Sequence, residues 1–140
     1  MTRDPMDMVF LLKAVPFLSD LSGEQLLPIA DIVQNVHVEA GDLVFAEGQP
    51  GNHLYVILEG EVDVLRGDER VARLGQKECV GEMALLDSAP RSASVKARTD
   101  CELLAIARDD FQDLLDMHPA LARGIIRVLT QRLRHATEQL

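Results

Sequence analysis

Residues 81–95 carry the most informative pattern of the chain and read Gly-Glu-Met-Ala-Leu-Leu-Asp-Ser-Ala-Pro-Arg-Ser-Ala-Ser-Val. Glu82 and Arg91 stand nine positions apart, and small residues that permit tight turns lie at both ends. Gly81 allows the backbone to approach a ligand closely, and residues 83–86 are good helix formers that predict one short helical turn. The first N–H groups of such a turn have no internal partner, so the segment predicts an anion-binding loop.

The two charged residues of this segment indicate what kind of anion it would hold. Arg91 offers a planar, permanently charged fork that grips a phosphate through two hydrogen bonds. Glu82 would repel a phosphate, but a carboxylate accepts a hydrogen bond from a sugar hydroxyl, as acidic residues do in nucleotide sites. Together they predict a small nucleotide pocket, and the alternative is a structural ion pair between Glu82 and Arg91.

The segment closely resembles the phosphate-binding cassette of the cyclic nucleotide-binding domain family. The family pattern is Phe-Gly-Glu-x-Ala-Leu, a short variable run, then Arg-(Thr/Ser/Ala)-Ala-(Thr/Ser)-Val. This chain matches it at Gly81, Glu82, Ala84, Leu85 and residues 91–95, and the resemblance covers about residues 10–138. The further matching motifs lie upstream, at Gly41-Asp42, Glu47-Gly48 and residues 55–62. Two departures are Val80, where an aromatic residue is usual, and Lys77-Glu78-Cys79, which lacks a glycine.

The resemblance implies a role for individual residues. Arg91, Ser92 and the backbone N–H groups of Met83 and Ala84 are expected to hold the phosphate of a cyclic nucleotide. Glu82 and the backbone at Gly81 are expected to hold the ribose. Serine at position 92 favours cyclic AMP without excluding cyclic GMP. Thr137 is either a contact to the base or an exposed helical threonine, and no metal or other cofactor is implied.

Composition and hydrophobic pattern place this segment in a single domain of 140 residues. Short alternating strands with turn residues between them predict a β region over 36–107, and many short strands at this spacing indicate a sandwich or barrel, with a jelly roll among the options. The resemblance favours a β-roll, a double-stranded β-helix related to the jelly roll. The fold class is therefore mainly β with N-terminal helices and a C-terminal helical subdomain.

Helices are predicted on both sides of the β region. The N-terminal helical range is 6–34, in which Ser22-Gly23-Glu24-Gln25 forms a capping box and Pro28 disfavours a straight helix. The C-terminal range is 109–140, where Asp109-Asp110 is expected to cap one helix and Pro119 to open a longer one. Seven apolar residues recur along that second helix at spacings of three and four: Leu121, Ile125, Val128, Leu129, Leu133, Ala136 and Leu140. The stripe predicts packing on the β-roll, a lid over the ligand or pairing with a second subunit.

Several classes of function are disfavoured by the sequence. The net charge of −9 argues against a broad nucleic-acid surface. His37, His53, His118 and His135 form no close metal-type pair, and the chain has no nucleophile–base motif or Walker-type loop, which argues against a cupin-like enzyme. The two cysteines lack metal-ligand spacing and are expected to be buried free thiols. No bilayer-length apolar run or basic leader is present, so we expect a cytoplasmic protein.

The prediction is a cyclic nucleotide sensor that catalyses no reaction, binds cyclic AMP in preference to cyclic GMP and transmits binding through its C-terminal helices. The alternative is a degenerate β-roll without ligand that is used for protein contacts. We expect no direct nucleic-acid binding by this chain, and either homodimerisation through the last helix or attachment to a larger protein.

Overall fold

The computed structural model describes residues 4–16, 18–87 and 89–138, and its centre is a β-roll. Within these residues the strands are β1 (Gln34–Val38), β2 (Leu43–Phe45), β3 (His53–Glu59), β4 (Val62–Arg66), β5 (Glu69–Leu74), β6 (Cys79–Val80), β7 (Ser94–Ala97) and β8 (Cys101–Ala107). They form two four-stranded antiparallel sheets with the orders β1-β8-β3-β6 and β2-β7-β4-β5. The predicted fold class is confirmed.

Four α-helices flank the roll in the described part of the chain: α1 (Pro5–Leu12), α2 (Gly23–Ala30), α3 (Arg108–Met117) and α4 (Pro119–Glu138). The capping box at the start of α2 is present, since the Ser22 hydroxyl accepts from the Gln25 N–H and the Gln25 side chain accepts from the Ser22 N–H. These two bonds satisfy backbone donors that the first turn leaves open, and they fix where α2 begins.

The alternation along β3 separates two hydrophobic cores. Leu54, Val56 and Leu58 lie in a large core that the first sheet shares with the helices. Ile57 lies in a smaller core that contains residues of both sheets, such as Val62 and Val95. Because successive side chains of a strand point to opposite faces, one strand contributes to both layers. The first sheet is thus covered by helices on one side and by the second sheet on the other.

Tight turns connect neighbouring strands. Gly67 and Asp68 join β4 to β5 as a two-residue hairpin turn, with Gly67 at a φ of 60°. Gly60, between β3 and β4, has a φ of 97°, and a Cβ there would overlap the carbonyl of Asp100. Glycine is therefore required at position 60 by both conformation and close approach.

Two predicted helix limits differ from the structure. The N-terminal helical range ends at Ala30, and β1 begins at Gln34 because residue 34 already pairs with Ala105 of β8. Asp109 and Asp110 do not cap α3, which begins at Arg108 after the N-cap residue Ala107. Both aspartates lie in the first turn instead, where their negative charge interacts favourably with the helix dipole.

The apolar stripe of α4 is buried over only part of its length. Leu121, Ile125 and Val128 are buried in the large core, whereas 70% of Leu133 is exposed and residues 131–137 are all exposed. Leu140, the last member of the predicted stripe, lies outside the described residues. Packing against the domain therefore accounts for the first half of the helix.

Candidate ligand-binding site

The segment 81–95 begins where β6 ends. Gly81 has a φ of 77°, a left-handed conformation that favours glycine, and a 3₁₀ helix follows at Glu82–Leu85. We call these four residues the cassette helix. Its Leu85 is fully buried in the large core, and the Ala84 N–H donates to the Gly81 carbonyl at 3.0 Å. The short helical turn predicted from the sequence is present, one residue earlier than the range 83–86.

The backbone of Arg91 is fixed by the loop between β2 and β3. The Arg91 N–H donates to the Gln49 carbonyl at 2.7 Å, and the Gly48 N–H donates to the Arg91 carbonyl at 2.9 Å. Pro50 and Pro90 form an isolated bridge beside this pair. Both backbone groups of Arg91 are thus paired, so the direction in which its side chain leaves the chain is set by the fold.

The side chain of Arg91 is buried, with only 9% of the residue exposed. Its Nη2 donates to the His53 carbonyl at 2.7 Å, and its Cζ lies 3.9 Å from the centroid of the Phe45 ring. Its Nε is buried and has no hydrogen-bond partner among the described residues. Burial lowers the pKa of Arg91, because a charged guanidinium loses hydration there.

No carboxylate of the described residues lies within ion-pair distance of Arg91. The alternative of a structural ion pair between Glu82 and Arg91 therefore does not describe this structure. An unpaired buried cation is costly, and it is typical of a site that receives an anion.

Glu82 supplies a complementary group on the same cavity. Its Oε2 is buried and forms no hydrogen bond with any part of the chain that the structure describes. An ionised carboxylate can only accept hydrogen bonds, so this oxygen requires a donor. Glu82 and Arg91 thus present an unsatisfied acceptor and an unsatisfied donor.

The cavity has a volume of about 420 Å³, which lies within the range of small-molecule sites. Its wall contains five residues predicted from the sequence: Gly81, Glu82, Ala84, Arg91 and Ser92. The remaining lining comes mainly from apolar residues of the strands and the cassette, among them Phe45, Val64, Val80 and Val95. The cavity therefore combines polar groups with a mainly apolar wall.

Three of the predicted ligand contacts lie at Ala84 and Met83 in the cassette helix and at Thr137 on α4. The Ala84 N–H is already used by the Gly81 carbonyl, because a 3₁₀ turn closes through such i→i−3 bonds, so a phosphate contact there must share or replace that bond. Met83 lies in the cassette helix, but its side chain is not described. Thr137 is exposed on α4, donates to the Leu133 carbonyl at 3.0 Å and does not line the cavity. Its contact with the base stays a prediction.

Sequence reasoning missed the partners that hold the Arg91 guanidinium. From the sequence, Phe45 is one residue of the predicted β region 36–107, and His53 is one of four histidines that form no metal-type pair. The carbonyl of His53 and the ring of Phe45 reach Arg91 from positions 38 and 46 residues earlier in the chain. No local motif predicts such contacts.

In the described part of the chain, the other histidines, cysteines and carboxylates form no second site of this kind. No group of three or more His, Cys, Asp or Glu side chains among the described residues is placed to hold a metal ion. Cys79 and Cys101 are free thiols, and burial together with the nearby Glu82 raises the pKa of Cys79 to about 11. A thiol with this pKa is protonated and therefore a poor nucleophile near neutral pH. In the described ranges, we find no helix with the length and apolar character needed to span a membrane.

A β-roll with an arginine and a glutamate at one end of an apolar cavity defines a class of small-ligand-binding domain. The chain belongs to the cyclic nucleotide-binding domain family, because the family model matches residues 35–118.

Known proteins similar to this chain include two curated relatives and one solved structure. The cAMP-dependent protein kinase regulatory subunit of Yarrowia lipolytica is 40% identical over 106 residues, which are 74% of this chain and 28% of that subunit. The cyclic AMP receptor protein of Thermus thermophilus is 36% identical over 134 residues, which are 92% of this chain and 62% of that protein. The N-terminal domain of a transcriptional regulator from Streptomyces coelicolor has a TM-score of 0.83 and 32% identity, over 93% of this chain and 94% of that one.

The chain spans about a quarter of the length of the kinase regulatory subunits it matches. The likeness to them and to the bacterial proteins concerns the ligand-binding domain that they share with this chain.

Proposed function

We propose that this domain binds a cyclic nucleotide, with Arg91 holding the phosphate and Glu82 accepting a hydrogen bond from the ribose 2′-hydroxyl. The observation that carries the proposal is the pair of unsatisfied buried atoms, Arg91 Nε and Glu82 Oε2, on two residues that line one cavity. A cyclic nucleotide carries an anionic phosphodiester next to a ribose hydroxyl. The phosphodiester can accept hydrogen bonds from Arg91, and the hydroxyl can donate one to Glu82.

The local charge of the site supports an anion in spite of the acidic chain. The net charge of −9 disfavours anion binding in general, whereas Arg91 brings a buried positive charge that no carboxylate of the described residues neutralises. The attraction between opposite charges is strongest where water is excluded. The buried Arg91 therefore attracts a phosphodiester more strongly than an exposed arginine would. Membership of the cyclic nucleotide-binding domain family supports the same ligand class.

Cyclic AMP is the proposed preferred ligand. Ser92 lines the cavity next to Arg91, and in the family a serine at this position is compatible with cyclic AMP, while threonine accompanies a preference for cyclic GMP. Two relatives at 40% and 36% identity are named for cyclic AMP. The preference over cyclic GMP is therefore part of the proposal and is tested together with it.

Transmission of the signal is proposed to run from the cassette helix into the C-terminal helices. Gln112 Nε2 of α3 donates to the Leu85 carbonyl at 2.9 Å, so a shift of the cassette helix changes a direct contact with α3. Leu85 itself packs in the core that also holds Phe111 of α3 and the buried half of α4. Such coupling requires that the ligand bind two arrangements of these elements with different affinity.

Isothermal titration calorimetry on ligand-stripped protein tests the proposal. Cyclic AMP, cyclic GMP and 5′-AMP are titrated separately, and melting temperature is recorded with each ligand. We expect saturable binding of cyclic AMP, weaker binding of cyclic GMP and the weakest binding of 5′-AMP, whose phosphate is not tied to the ribose. Absence of heat and of any melting shift with all three ligands would support the degenerate β-roll and overturn the proposal.

A further inference from the structure

We propose that Phe45 is a positioning residue, which holds the Arg91 guanidinium in the orientation that receives the phosphate. This inference rests on the proposed function. Phe45 ends β2, and its ring centroid lies 3.9 Å from Arg91 Cζ. A guanidinium at this distance from a ring is held by cation–π attraction and by dispersion.

The ring does not act alone, because four residues form a closed set of contacts. Arg91 lies against Phe45, whose ring packs on Tyr55 with centroids 6.2 Å apart. Tyr55 packs in turn on the His53 ring, at 5.8 Å, and the His53 carbonyl accepts the hydrogen bond of Arg91 Nη2 at 2.7 Å. Each residue therefore limits the movement of its neighbour in the set, and the fourth contact joins His53 to Arg91.

These contacts reduce the conformational entropy that Arg91 loses when a ligand binds. A long arginine side chain loses rotamer freedom when it is fixed by a ligand, and a side chain already fixed by Phe45 and His53 has less freedom left to lose. Arg91 has no carboxylate partner in the described residues, so the ring and the carbonyl do the positioning that a carboxylate performs elsewhere. A neutral ring also leaves the positive charge available to the phosphate, which a carboxylate would neutralise.

The binding test compares Phe45→Leu, which loses the ring but keeps an apolar side chain, with Phe45→Tyr, which keeps the ring. We expect Phe45→Leu to weaken cyclic AMP binding by roughly 2- to 30-fold, the range set by one cation–π contact, and Phe45→Tyr to restore most of it. In an Arg91→Gln background the same Phe45→Leu change should have little further effect. An equal loss in both backgrounds would mean that Phe45 contacts the ligand directly, and the inference would be overturned.

A second measurement needs no ligand. In ¹⁵N spectra of the ligand-free protein, the Arg91 Nε–H should show a ring-current shift and restricted motion, both lost in Phe45→Leu and kept in Phe45→Tyr. An unchanged Arg91 signal in a folded Phe45→Leu protein would overturn the inference while leaving the proposed function intact. Failure of the wild-type protein to bind any cyclic nucleotide would overturn the proposed function, and the spectra would still report whether Phe45 orders Arg91.

Discussion

Gly81 and Arg91 lie so close together that a Cβ on Gly81 would overlap Arg91 Nη1. The same Cβ would lie 3.0 Å from the His53 carbonyl oxygen, which accepts the hydrogen bond of Arg91. Gly81 also has a φ of 77°, a backbone conformation that residues with a side chain rarely adopt. Position 81 therefore needs glycine for two reasons, its backbone conformation and the lack of space beside Arg91, and the lack of space concerns the cavity itself.

We predict that Gly81→Ala displaces the guanidinium and weakens cyclic AMP binding, in addition to lowering stability. The matched control is Gly41→Ala, because Gly41 has a φ of 92° and nothing within 4 Å of the added Cβ. Left-handed strain costs about 1–2 kcal/mol in both variants, and Gly81→Ala alone also crowds the His53 carbonyl and displaces the Arg91 guanidinium. Urea denaturation and calorimetry check this, and equal losses of stability with unchanged affinity would contradict it.

Replacement of Arg91 separates binding from folding. We expect Arg91→Gln to weaken cyclic AMP binding by roughly 30-fold to a few thousand-fold, since losing one partner of a buried charge pair costs roughly 2–5 kcal/mol. The free energy of unfolding should fall by no more than about 1 kcal/mol, because the lost Phe45 contact is offset by removing a buried cation without a carboxylate partner.

The control for this variant is Arg98→Gln, which removes the same charge from an exposed residue paired with Glu61. Its affinity for cyclic AMP should stay close to that of the wild type. An Arg91→Gln protein that fails to fold would show that the arginine has a structural role, and unchanged affinity would exclude it from the site.

Glu82 should discriminate between ligands that differ at the ribose. Its Oε2 has no partner, so a 2′-hydroxyl can donate to it, and a hydrogen bond to a charged group contributes about 1.5–3 kcal/mol. We predict that Glu82→Ala weakens cyclic AMP binding by roughly 10- to 150-fold and 2′-deoxy cyclic AMP binding much less. Asp87→Ala removes an exposed carboxylate from the same cavity wall and should affect both ligands alike. Equal losses for the two ligands in Glu82→Ala would assign Glu82 another role.

An exposed cross-strand pair on the edge strand of the first sheet and its neighbour should make stability depend on pH. His37 on β1 is directly opposite Glu102 on β8, and their side chains are hydrogen bonded. This bond raises the pKa of His37 above its ordinary value of 6.5. The protonated pair therefore stabilises the fold below about pH 6.5, and this contribution is lost as the pH rises through the raised value.

We expect the melting temperature of the wild type to exceed that of His37→Gln at pH 5.5, with a difference that shrinks by pH 8. Glu102→Gln should abolish this pH dependence, and added salt should weaken it because the pair is exposed. A difference that is constant from pH 5.5 to 8 would contradict the prediction.

The sequence predicts the cassette better than its surroundings, and the reason is the range of the contacts. Gly81, Glu82 and Arg91 belong to one segment whose turns are formed by neighbouring residues, so their placement at one cavity follows from a local pattern. Phe45 and His53 reach Arg91 through tertiary packing, which no spacing along the chain records. The predicted helical range 6–34 also extends too far. The helical pattern of the sequence continues to residue 34, but α2 ends at Ala30 and residue 34 pairs with β8.

The two halves of α4 differ in how they pack against the domain. Its first half is held tightly: a Cβ on Gly124 would lie 2.9 Å from Gln25 Nε2 and 3.1 Å from Leu21 Cδ2. Its second half, residues 131–137, is exposed and includes the apolar Leu133. Leu133 and Ala136 continue the apolar stripe past its buried part, and this continuation favours a contact that forms in another state, either over the cavity or with a second copy.

We therefore predict that residues 131–138 gain amide protection when cyclic AMP binds, whereas residues 121–128 are protected in both states. Hydrogen exchange at two protein concentrations measures this and separates the two models. A lid gives the same gain at both concentrations, and pairing gives a larger gain at the higher one, together with dimers in light scattering. Identical exchange with and without ligand, in a protein that remains monomeric, would leave α4 as a passive packing element and would contradict its part in the proposed transmission.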